Sequence, residues 1–68
     1  MNTTEDKLEN LSFELGNTLN FVHDILTAVQ KTPMDPIMKN NAIDELFNLS
    51  ENINESITSI RKIIGYLP

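Results

Sequence analysis

The stretch TPMDP, Thr32-Pro33-Met34-Asp35-Pro36, decides how the whole chain is read, because it interrupts two long segments that are otherwise amphipathic with a helical period. Pro33 drives the residue before it out of the helical region, so the first helix has to end here. Asp35 is a good N-cap, and Pro36 fits the first position of a new helix, where no backbone N–H is needed. The motif therefore ends one helix and starts another. So short a connection between two long helices implies that they run antiparallel.

Upstream of the turn, apolar residues recur every seven positions. Leu8, Leu15, Val22 and Val29 form one row, Leu11 and Ile25 a second, and Leu19 and Leu26 a third. Downstream, Leu46, Ile53, Ile60 and Leu67 form one row, Ala42, Leu49 and Ile63 another, and Ile43, Ile57 and Ile64 a third. A stripe three positions wide belongs to a helix of a bundle rather than to a narrow two-stranded seam. The sequence thus specifies an all-α protein, a single domain over residues 1–68, with helix 1 at about 4–31, a turn at 32–35 and helix 2 at about 36–64. Helix 2 would be roughly 43 Å long at 1.5 Å per residue.

The helix ends carry supporting signals. Thr3 or Thr4 can cap helix 1, with Glu5 and Asp6 in its first turn and Lys31 in its last; Arg61 and Lys62 precede Gly65, read as the stop of helix 2. Gly16 and frequent Asn residues lower intrinsic helicity, so packing has to supply the stability. A break at Gly16-Asn17, giving three helices, is the alternative architecture.

Two helices cannot cover two wide stripes by themselves. The expected solution is a homodimeric four-helix bundle, with docking onto a different helical protein as the other possibility. The dimer core on helix 1 would be Leu8, Leu11, Leu15, Leu19, Val22, Ile25, Leu26 and Val29. On helix 2 it would be Ile43, Leu46, Leu49, Ile53, Ile57, Ile60, Ile63 and Ile64.

Composition removes several functions. With no cysteine and one histidine, the chain offers no disulfide, thiolate metal site or cysteine nucleophile, and no cofactor is expected. A formal charge of −5, with only Lys7, Lys31, Lys39, Arg61 and Lys62 basic, argues against binding nucleic acid. No basic-then-apolar leader and no apolar run near the roughly 20 residues of a membrane span is present, so a cytoplasmic protein is expected. The Asn-x-Ser/Thr triplets at Asn2, Asn10, Asn48 and Asn54 then read as coincidences of an Asn-rich chain.

Catalytic candidates are thin. His23 lies off the apolar stripe and its neighbour Asp24 does not face it on a helix. Ser12, Ser50 and Ser56 fall within the stripes, where a hydroxyl can bond back to its own helix. Asp44, Glu45, Glu51 and Glu55 form the longest run of one charge sign, but the Glu-x-x-His pattern of bundle metal sites is missing. No enzyme activity is expected. The acidic run reads as a solvated face able to meet a basic protein surface.

Phe21 and Phe47 are expected to meet at one rim of the core. Phe13 falls opposite the stripe set by Leu8 and Leu15, and with Gly16 and Asn20 it makes an outer patch, one large apolar knob beside bare backbone. Aromatic residues anchor protein interfaces out of proportion to their number. The expected partner-binding set is Phe13, Gly16, Asn20, Asp44, Glu45, Glu51 and Glu55. The function it implies is that of a small acidic regulator or inhibitor, a non-catalytic module for protein–protein interaction.

As architecture, the hairpin resembles the plasmid copy-number repressor Rop, a short hairpin that dimerises into four helices and binds paired RNA loops. The basic residues of that family's first helix are not matched, only Lys7 and Lys31 being positive. The turn Pro33-Met34-Asp35-Pro36 and the segment Ile53 to Ile63 (INESITSIRKI) are similar to type III secretion needle subunits, with Leu49 and Asn52 where tyrosines are common there. That resemblance implies a structural subunit of a helical assembly, or its hairpin co-chaperone.

Overall fold

A computed structural model describes residues 3–68. Two helices make up the fold, α1 at Thr3–Lys31 and α2 at Pro36–Tyr66, and they pack against each other as a hairpin. The described residues contain no strand. The molecule is a rod, 52 × 15 × 9 Å along its principal axes.

The turn is closed by hydrogen bonds that follow from its residue types. Asp35 caps α2, one carboxylate oxygen accepting from the amides of Ile37 and Met38, both at 3.1 Å. At the end of α1 the carbonyls that lack a helical partner are met in turn. The Ala28 carbonyl accepts from the Thr32 hydroxyl at 2.7 Å, that of Val29 from the Thr32 amide at 3.1 Å, and that of Gln30 from Lys39 Nζ at 3.3 Å. The lysine sits on α2, so this last bond ties the two helices across the turn and puts a cation at the negative end of α1.

Two end signals resolve differently from the sequence reading. Thr3 and Thr4 both lie inside α1, and the residue before them is outside those described. Gly65 does not stop α2, which runs on to Tyr66; Leu67 is the C-cap, in extended conformation, its amide donating to the Ile64 carbonyl at 3.1 Å. A glycine stops a helix by taking positive φ, and no glycine here does so. Gly16 likewise leaves α1 unbroken, so the three-helix alternative is set aside.

Packing uses two rows of each stripe and leaves the third. On α1 the covered positions of the seam are Leu8, Ser12, Leu15, Leu19, Val22, Leu26 and Val29, stepping by four and three; outside it Glu5, Asp6 and Gly16 are also half-buried. On α2 they are Lys39, Ile43, Leu46, Ser50, Ile53, Ile57, Ile60 and Ile64, with the same steps, followed by Leu67 just past the helix; of the third row only the small Ala42 is also half-buried. This is the a/d pattern of a coiled coil, with Leu8, Leu15, Val22 and Val29 at d and Ser12, Leu19 and Leu26 at a. Val22, Ile53 and Ile60 are the buried apolar residues of the seam. Its choice of serine over leucine is clear on α2, where Ser50 is 9% exposed and its neighbour Leu49 is 45% exposed.

Candidate interaction surfaces

In an antiparallel pair the g positions of both helices lie on one side of the seam and the e positions on the other. The structure shows the first grouping directly. Leu11 at g and Leu15 at d share an open hollow with Ser56 at g and Ile60 at d of α2, with Asn52, Glu55 and Ser59 along its outer wall. The g row holds Leu11, Thr18 and Ile25 on α1 and Ala42, Leu49, Ser56 and Ile63 on α2. Its large members, Leu11, Ile25, Leu49 and Ile63, are all exposed. All four belong to the expected dimer core, and within one hairpin each stays about two-fifths exposed.

The e side is different in kind. It carries Glu9, Gly16, His23 and Gln30 from α1, and Asn40, Phe47, Asn54 and Arg61 from α2. Phe13 and Asn20 stand next to it at b on α1, as do Asp44 and Glu51 on α2. All four are exposed, Phe13 at 70%. An added Cβ at Gly16 would meet no atom within 4 Å, so this glycine leaves open space rather than admitting a neighbour.

The expected partner-binding residues therefore divide. Phe13, Gly16, Asn20, Asp44 and Glu51 share one side. Glu45, at c, borders the g side, and Glu55, at f on the outer face of α2, lines both the hollow that contains Leu11 and a second one with Asn54, Thr58, Ser59 and Lys62. Phe21 and Phe47 do not meet at a rim. They stand at similar heights but on opposite sides of the seam, c and e respectively, and both rings are exposed. Phe47 thus joins the Phe13 side. The signal was available in the sequence, since Phe47 follows the d residue Leu46 by one position, but reading it required knowing which two rows close the seam.

Chemistry is sparse along both sides. No group of three or more His, Asp or Glu among the described residues could hold a metal ion. His23 is exposed, and its backbone carbonyl accepts from the Thr27 hydroxyl at 3.1 Å. Ser56 donates to the Asn52 carbonyl at 3.0 Å, a local bond within its own helix. No described helix is long and apolar enough to cross a membrane.

Fold and surfaces together define an antiparallel α-hairpin with one apolar and one mixed acidic-aromatic side. Comparison with protein-family models, with curated proteins and with solved structures finds no match to this chain.

Proposed function

We propose that this protein is a non-catalytic interaction module of the cytoplasm: the hairpin dimerises into a four-helix bundle and presents its acidic outer surface to another protein, which it regulates or inhibits. Phe13 carries this reading. It is a large aromatic ring left 70% exposed, and the residues one helical turn away from it, Glu9, Asn10, Gly16 and Asn17, carry no large apolar side chain. An exposed aromatic anchor ringed by polar groups is the composition of an interface centre and its rim. Asp44 and Glu51 on the same side suit a partner with basic groups, whose approach they would steer.

The test is Phe13→Ala, read as thermal stability and as partner capture from lysate at two salt concentrations. Stability should move by no more than about 0.5 kcal/mol, as for other exposed sites, while a salt-sensitive partner is lost. A large fall in stability would place Phe13 in a core and end this reading. A salt-sensitive shift of RNA or DNA by the wild-type chain would replace it with nucleic-acid binding.

A second reading draws on the bare g row. There the apolar side itself is the docking surface, and the hairpin is a structural or chaperone-like subunit of a larger helical assembly. It predicts filaments or aggregates of the isolated chain instead of a discrete dimer.

A further inference from the structure

The hollow shared by Leu11 and Ser56 sets the register of the g side. The seven-residue period carries that pairing to Thr18 with Leu49 and to Ile25 with Ala42. Each level holds one large apolar side chain and one small one. The large one alternates between helices, on α1 at Leu11, on α2 at Leu49, and on α1 again at Ile25. The g side is thus a relief of knobs and notches, and no g residue along it is charged.

We propose that this side closes on a second copy of the chain, with the two-fold axis running along the bundle, so that α1 of one hairpin lies on α2 of the other and both turns are at the same end. The inference rests on the reading above that the hairpin dimerises, and adds the face and the direction. In this arrangement Leu11 meets Ser56 of the partner subunit, Leu49 meets Thr18 of the partner subunit, and Ile25 meets Ala42 of the partner subunit. Large residues face small ones at every level, the condition for layers that interdigitate without voids or strain. Turning the second copy end for end at full overlap instead sets Leu11 against the partner's Ile25 and Leu49 against its own copy. Restoring knob-on-notch contact would then need a slide of one heptad, roughly 10 Å at 1.5 Å per residue, with loss of overlap.

The occupant also fits by size. The broad face of the rod is 52 Å long and 15 Å wide, and a second copy of the same rod matches it in both dimensions. It covers that face along its whole length.

The chain has no cysteine, so Met34→Cys places a single spin label in the turn. Light scattering should give twice the chain mass, and the label-to-label distance should be less than half of the 52 Å rod. A dimer with labels separated by about the full rod length overturns the parallel arrangement while leaving dimerisation intact. A monomer at every concentration overturns both. Thr18→Leu tests the face itself. Leucine is the better helix former, so folding is spared, but the filled notch should weaken the dimer by about ten-fold or more. Adding Leu49→Thr should restore it. An unchanged dimer in Thr18→Leu would show that another face is used and would overturn the proposal.

Discussion

The two sides of the hairpin have the same scaffold and opposite relations to water. Along the g side, Leu11, Ile25, Leu49 and Ile63 are apolar and exposed, and the small residues between them are uncharged. Along the e side, Glu9, His23, Gln30, Asn40, Asn54 and Arg61 suit solvent, and Phe13 and Phe47 stand out singly. A scattered exposed aromatic is ordinary on a protein surface, whereas a row that repeats a large exposed apolar side chain at every level is a surface that gains by being covered. One side thus has a thermodynamic reason to associate, and the other has the means to be selective.

The seam common to both sides sets the largest effect. Ile53→Asp puts a charge where Ile53 is 7% exposed and should cost at least about 3 kcal/mol. For a domain with so few buried apolar residues that means loss of the helical circular-dichroism signal. Retained helicity would show that the seam is not what holds the hairpin.

A matched pair of truncations then separates the sides. Ile63→Ala on the g side should cost about 1–2 kcal/mol and make thermal unfolding more dependent on protein concentration. Phe47→Ala on the e side removes a larger ring and should cost less than about 1 kcal/mol, with no change in that dependence. The reverse order would exchange the roles of the two sides.

The smallest effect runs the other way. Gly16→Ala adds a Cβ into open space within a helix and should stabilise by up to about 1 kcal/mol. If partner capture falls while the melting temperature rises, bare backbone at Gly16 is part of the contact.

The hairpin was legible because TPMDP has one reading and the apolar rows have a helical period. Which rows would close the seam was not. A stripe three positions wide permits two seams, a with d or d with g, and leucine at 11 and 49 favours the second on hydrophobicity alone. The structure takes the first and accepts Ser12 and Ser50 in it. That choice depends on the rotation of each helix about its own axis, which periodicity does not record. The same uncertainty misplaced Phe47 and scattered the acidic residues, since Glu45 at c borders the g side, Glu51 at b stands on the Phe13 side, and Glu55 at f lies between the two. Phe13 was simpler, because it lies off the stripe under either seam.

The turn also constrains the order of assembly. The bonds made by Thr32 and Asp35 span only a few residues, so they form with little loss of chain entropy and favour closure from that end. Pro33 and Pro36 oppose straightening through the turn into one long helix. Two chains are thereby discouraged from exchanging helices by domain swapping, and any larger assembly would be built by docking finished hairpins.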